Sequence, residues 1–432
     1  MRSLRARRPG RATPRAILTL ADQALISASN FITMLLIARA LAPDAFGLFN
    51  LAYITLFLAN ALQGALITTP LAVLASPLSG PRYRQYTSST GLSQLVFAVL
   101  LAVPLAAGTL VTGSFEAAGG SQFTLWFVVA GFAWQLQEFG RRVLYVENRI
   151  AAALAMDIVS YGGQVVVVSA FAIVGSLDAV SAIAAIGVTT LVSAVGGGLA
   201  IRHSVAARPT VDPIRENLRY GSWLAGGELV NFMSIRLYTY MVAALRGPAA
   251  AGVLGASTII MGPLNVVLLS ANTVLPITLA RARGTGGDPT VRHRLARFHL
   301  LTTPLVAVYA GVVALFAEPI LEVAYGPKYQ GYGPVLALLA VFHLLRYDST
   351  LVAIGLRVLH RTRAVFTGYA TSAVVSISGG WLLIINFGVI GAAMGMIVSV
   401  TTFSLIWWRA YLRDRGHGAS VPAGDPALGA DL

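Results

Sequence analysis

The chain alternates long apolar stretches with short polar breaks. The stretches are too long for strands and too evenly apolar for surface helices. Twelve stand out, at about 16–38, 46–73, 89–112, 122–145, 151–174, 180–201, 221–245, 249–278, 298–317, 333–356, 364–386 and 388–411. A helix needs about 20 apolar residues to cross the hydrocarbon core, and each stretch supplies that length. Pro104, Pro263, Pro276 and Pro304 fall inside and are tolerated in spanning helices. A barrel would show alternating segments of about 10 residues, and none are seen. The pattern predicts an all-α, polytopic membrane protein of twelve transmembrane helices. The first stretch follows Arg2, Arg5, Arg7, Arg8, Arg11 and Arg15 and runs past Ala38 without a small-residue cleavage site. It reads as an uncleaved first helix behind a basic tail.

Composition agrees and narrows the class. Of 432 residues 56% are hydrophobic and only 11% charged, with a mean hydropathy of +0.73. Soluble domains carry roughly 25% charged residues, so a water-soluble enzyme, a disordered chain and a nucleic-acid-binding domain are excluded. Cysteine is absent, which removes disulfides, zinc–thiolate sites and Cys nucleophiles. Six scattered histidines show no metal spacing, so no metal or cofactor is expected.

The net charge of +14 is mostly orientation charge. If the breaks between segments face alternate sides, 26 of the 31 Lys and Arg fall on one side with the N-terminus and three on the other (Arg39, Arg246, Lys328). Arg236 and Arg346 lie within segments. The positive-inside rule then places both termini in the cytoplasm. Basic loops on that side also attract anionic membrane lipids. No break is long enough for a soluble domain, and with one lysine and no G-x-x-x-x-G-K-[ST] loop the chain cannot drive transport by ATP itself. The expected organisation is a basic tail (1–15), a six-helix half (16–201), a linker (202–220), a second six-helix half (221–412) and a disordered tail (413–432).

The halves are related. Ala38–Gly47 matches Ala243–Gly252 at an offset of 205, aligning Pro43 with Pro248 and Gly47 with Gly252. Ser29 falls on Ser234 and Asn60 on Asn265 at the same offset. Pro starts a helix well at its first turn, and Gly lets two helices pack closely. Six spans per half is an even number, so the repeats are parallel about an axis along the membrane normal, with the substrate path between them.

The hairpin from Ala40 to Phe49 resembles the start of polysaccharide transporters, the Wzx-like flippases of the MOP superfamily. Three more stretches are similar to that family: Glu318 to Tyr329, the basic Arg357 to Arg363 after Gly355, and the Gly-rich Phe387 to Ala393. The resemblance reaches both ends of the chain. It implies a MATE-like arrangement and a flippase that moves a polyprenyl-pyrophosphate-linked oligosaccharide outward by alternating access. The product would feed exopolysaccharide, capsule or O-antigen assembly. The cavity would be walled by helices one, two, seven and eight. Partners would be the lipid-linked saccharide, H⁺ or Na⁺ if an ion drives transport, and an assembly with a polysaccharide polymerase or glycosyltransferase. No nucleic acid is expected.

Charges inside spans are costly and mark candidate sites. Arg236, about 15 residues into helix seven, is the prime candidate for the phosphate, because a guanidinium binds phosphate bidentately. Arg39 and Arg246 at the outer ends of the repeated hairpins are read as phosphate contacts or interfacial anchors. Asp22 and Glu228 lie about 9 and 10 Å inside repeat-related helices. They read either as an ion-coupling pair or as acids that snorkel or pair with nearby Arg. Asn30, Asn60, Gln63, Asn231, Asn265 and Asn272 offer sugar contacts or interhelical bonds, and Tyr238 and Tyr240 offer stacking faces or an interfacial belt. Glu138 with Arg141 and Arg142 reads as a helix-surface pair, and His343, Arg346 and Asp348 as a structural group.

Two rivals carry different expectations. A multidrug/cation antiporter of the same superfamily wants acids rather than arginine in its cavity. A membrane polysaccharide polymerase or ligase, an enzyme, wants a long outer loop with basic residues, and the outer loops are short.

Overall fold

A computed structural model describes residues 14–112, 115 and 118–413. The tails of the expected organisation, 1–13 and 414–432, lie outside the described residues. Among the described residues all long elements are helices and no strand occurs.

The N-terminal half contains α1 (Pro14–Ala40), α2 (Pro43–Gln63), α3 (Thr69–Leu74), α4 (Gly80–Thr112), α5 (Gly120–Val146), α6 (Ile150–Asp157), α7 (Gly163–Val174) and α8 (Ala179–Ile201). Single π-helical turns, Gly64–Thr68 and Ile158–Gly162, join α2 to α3 and α6 to α7 into two continuous spans. The C-terminal half contains α9 (Val211–Arg246), α10 (Pro248–Ile260), α11 (Gly262–Leu315), α12 (Ala317–Tyr325), α13 (Gly333–Val358) and α14 (Thr362–Leu412). The expected linker is half helix, because α9 starts at Val211 with Asp212 in its first turn.

Eight helices are long and apolar enough to cross a membrane, and the pair Pro248–Ile260 and Gly262–Leu268, bent by 53°, makes a ninth. Two of the eight are folded back on themselves. α14 would be about 76 Å long if straight, far beyond a bilayer. It breaks at Gly388, whose φ of 59° a side chain would resist. Its two arms then lie antiparallel: Trp407 Nε1 donates to the Val365 carbonyl (3.3 Å) and Ser372 Oγ to that of Ser399 (3.1 Å). α11 breaks at Gly286–Gly287, and Tyr309 Oη reaches back to the Ile260 carbonyl (2.7 Å). α5 and α9 have spanning length but carry charges within it. The twelve apolar segments thus map onto the helices, two of them each in α11 and α14.

The halves meet where the sequence repeat is strongest. A Cβ on Gly47 would sit 1.8 Å from the Pro248 carbonyl oxygen, and one on Gly252 2.0 Å from that of Pro43. Repeat-equivalent residues therefore touch each other across a pseudo-two-fold crossing of α2 and α10. A Cβ on Gly255 would sit 2.5 Å from Nδ2 of Asn50, its repeat mate. This crossing lies at the face bearing Arg39, Arg246 and Lys328, the arginine-poor face. Arg39 Nη1 donates to the carbonyls of Val323 (3.0 Å) and Ala324 (3.3 Å) at the end of α12, and Lys328 Nζ to those of Arg39 (3.2 Å) and Ala40 (3.0 Å) at the end of α1. Each half thus caps a helix C-terminus of the other with a cation, where the helix dipole favours one. The arginine-poor face is closed.

Candidate functional site

Below that closure a cavity of about 400 Å³ separates the halves. Its walls come from α1 (Asn30, Phe31), α2 (Asn50, Tyr53), α9 (Arg236, Thr239), the α10–α11 bend (Thr258, Gly262) and Arg346 of α13. Arg236 stands ten residues before the end of α9 and Arg346 thirteen after the start of α13. At 1.5 Å per residue both are about 15–20 Å from the arginine-poor face, near mid-membrane. Neither guanidinium has a carboxylate or hydrogen-bond partner among the described residues. Tyr53 Oη donates to Asn30 Oδ1 (3.2 Å), which presents an amide at the wall. Tyr240 Oη and Thr55 Oγ1 bond at 2.8 Å across α9 and α2, tying the halves beside Arg236.

Arg346 also borders a second cavity, of about 560 Å³, inside the C-terminal half. Glu228, Asn231, Asn272, Thr350 and Arg357 line it, and Arg357 lies at the last turn of α13 on the opposite, arginine-rich face. Eleven residues separate Arg346 from Arg357, three turns of a helix, which returns them to one side of α13. Three arginines therefore mark a line from the arginine-rich face to the centre.

The acids fall elsewhere. Asp22 is fully buried and accepts from Tyr145 Oη (2.5 Å). Arg141 Nη1 lies 3.7 Å from both Asp22 Oδ2 and Asp157 Oδ2, and Arg141 Nη2 2.7 Å from Glu138 Oε2. Arg142 adds a second bond to Glu138 (3.3 Å), and Gln137 Nε2 donates to Asp157 Oδ1 (2.8 Å). Asp22 Oδ1 and Asp157 Oδ2 are buried without a hydrogen-bond partner. This is a cluster of three acids and two arginines inside the N-terminal half.

Several expectations are corrected by these positions. Asp22 does not face Glu228; its neighbours are on α5 and α6, and Glu228 lines the C-terminal cavity. Glu138 is buried rather than a surface pair. Arg39 and Arg246 line neither cavity: both are exposed at the arginine-poor face and donate to carbonyls, Arg246 to those of Ile384 (3.2 Å) and Ile385. Tyr238 is buried in the C-terminal half, its hydroxyl bonded to the Gly395 carbonyl and Ser399 Oγ (both 2.8 Å), so it offers no stacking face. Gln63 is spent on Gln94 (2.8 Å) and the Gln135 carbonyl (2.6 Å). Asn60 lines neither cavity, and the side chain of Asn265 lies outside the described residues. Asp348 turns away from Arg346, accepting from Trp408 Nε1 (2.7 Å) beside His299. Arg346 is thus no structural pair. Sequence reasoning missed Asp157, whose one signal was an acid inside the run 151–174.

Comparison with known proteins fits this architecture. The family model "polysaccharide biosynthesis protein" matches residues 121–334. A curated relative, lipopolysaccharide biosynthesis protein WzxC of Escherichia coli (strain K12), is 27% identical over 135 residues, 31% of this chain and 27% of that protein's length. An inward-facing multidrug resistance MATE family transporter of the MOP superfamily superposes with a TM-score of 0.72 over 92% of this chain and 97% of its own, at 14% identity. The lipid II flippase MurJ in an inward closed conformation gives 0.68 over 92% and 87%, at 13% identity. The chain is therefore a multi-pass membrane protein with the MOP-superfamily fold, matched through its middle by the polysaccharide biosynthesis protein family.

Proposed function

We propose that the chain is a flippase for a polyprenyl-pyrophosphate-linked oligosaccharide, working by alternating access with both termini in the cytoplasm of a bacterial inner membrane. The observation that carries this is the pair of guanidiniums, Arg236 and Arg346, facing a shared cavity without acids to neutralise them. An unpaired charge at mid-membrane costs roughly 2.5–3.5 kcal/mol on insertion scales, so two of them side by side call for an anion. A pyrophosphate supplies it, with both groups able to grip by charge-assisted bonds. Asn30 in the first cavity and Asn231 and Asn272 in the second offer amides to sugar hydroxyls. Arg357 would receive the headgroup first at the cytoplasmic face. MurJ and WzxC, by name a lipid II flippase and a lipopolysaccharide biosynthesis protein, support a lipid-linked saccharide as substrate.

The antiporter reading is less favoured, because a cationic drug would be repelled from this cavity. We assign ion coupling to Asp22 and Asp157 on α1 and α6, where three acids meet two arginines, with Glu228 a separate acid in the other half.

The test is binding of a short polyprenyl pyrophosphate to the purified chain. Arg236→Ala and Arg346→Ala each remove one charge-assisted bond and should weaken binding about ten- to a hundredfold. Both should insert normally, since neither arginine balances an acid. Arg236→Lys keeps the charge but loses the planar fork and should retain partial affinity. Correctly inserted Ala variants that bind as tightly as wild type would defeat the reading.

A further inference from the structure

We propose that a cleft on the outer flank of the C-terminal half, between the second arm of α11, α13 and the end of α14, is a binding site for an anionic phospholipid. It is separate from the cavities above and encloses about 540 Å³. Its lining on α11 runs from Arg292 to Ala307, about 22 Å along the helix, from the arginine-rich face towards mid-membrane. That matches the reach of a phospholipid lying along the membrane normal.

The chemistry is graded along this length. At the mouth, Arg292 is held in place: Nη1 donates to the Tyr411 carbonyl (2.6 Å) and the guanidinium stacks 4.7 Å over the Tyr411 ring. Arg297 and Arg409, on the same two helices, are exposed and add positive charge to this end of the protein. Two turns deeper, about 10 Å along the helix, His299 Nδ1 lies 3.5 Å from Asp348 Oδ1, and its Nε2 is buried without a hydrogen-bond partner. Trp408, with its indole N–H spent on Asp348, stands at this level, the depth at which aromatic side chains meet ester groups. Beyond it Thr303, whose Oγ1 lies 3.5 Å from His299 Nδ1, is the last polar residue of the lining on α11, and Leu300, Pro304 and Ala307 make the rest of the wall apolar. Neighbouring Leu301, Leu305 and Val308 are exposed, an apolar surface suited to acyl chains.

Cation at the interface, polar groups at ester depth and an apolar slot beneath complement one phospholipid: phosphate at Arg292, ester carbonyls near His299, one acyl chain in the slot. Basic pockets between transmembrane helices hold anionic headgroups by the same physics.

The experiment is native mass spectrometry of the purified full chain with phosphatidylglycerol or phosphatidylethanolamine of matched acyl chains. Phosphatidylglycerol should stay bound through delipidation while phosphatidylethanolamine is lost. Arg292→Gln removes the charge, and Ala307→Phe fills the slot far from the headgroup. Each should weaken phosphatidylglycerol binding about tenfold, as expected when one charge-assisted contact or the acyl site is lost. Should Arg292→Gln fail to insert, Ala307→Phe still decides. Equal retention of the two lipids, undiminished binding by Ala307→Phe, or displacement of phosphatidylglycerol by equimolar polyprenyl phosphate would each overturn the proposal.

Discussion

The two halves descend from one pattern yet treat buried charge in opposite ways. In the N-terminal half, Asp22, Glu138 and Asp157 converge on Arg141, with Arg142 beside them. The acids outnumber the arginines, but every member has an opposite charge within 4 Å. In the C-terminal half, Arg236 and Arg346 face a cavity without such partners. The first arrangement is closed in on itself and holds α1, α5 and α6 together. The second leaves its positive charge without an acid partner among the described residues. Charge in the N-terminal half is thus paired within that half, whereas charge at the boundary between the halves is not.

The largest test of that contrast is Arg141→Ala. It would strand Asp22 and Asp157 in a buried site and leave Glu138 with Arg142 alone, and breaking a buried ion pair from one side costs about 3–5 kcal/mol. Thermal unfolding in detergent should show a large loss of stability, whereas Arg346→Ala should show little or none. Equal losses for the two would erase the distinction between the halves. Next comes the crossing, where the halves behave alike. Gly47→Leu and Gly252→Leu each drive a side chain into a carbonyl of the other half, at a cost of about 1–3 kcal/mol. Because the repeat makes the two contacts reciprocal, their effects on stability should agree; a harmless Gly252→Leu beside a damaging Gly47→Leu would break the pseudo-symmetry.

The smallest effect is expected from Lys328→Ala. Exposed charge contacts contribute about 0.2–1 kcal/mol, enough to shift a population a few-fold without unfolding anything. The chain has no cysteine, so spin labels on Asp44→Cys and Tyr332→Cys would report the gap across the arginine-poor face directly. Removing Lys328 should lengthen that distance in a larger fraction of molecules. An unchanged distance distribution would mean that the Gly47–Gly252 crossing and the Arg39 cap on α12 keep this face shut without Lys328.

The apolar runs, the split of arginines between the two faces and the Pro-x-x-x-Gly repeat were all legible in the residues. The reason is that a bilayer acts on the chain locally: each span must satisfy its own backbone and each break must carry its own charge. The direction of each charge within a span was not legible. A helix turns its side chains by about 100° per residue, and the neighbours at that angle come from helices far away in sequence. Asp22 and Glu228 share a depth, yet one faces α5 and the other a cavity against α13 and α14. Arg39 and Arg246 looked like cavity residues, but the ends of α12 and of the first arm of α14 hold them at the arginine-poor face. Arg346 sits two residues before Asp348, a spacing that puts the two on different sides of α13. Packing alone turned Asp348 towards Trp408 and left Arg346 facing Arg236.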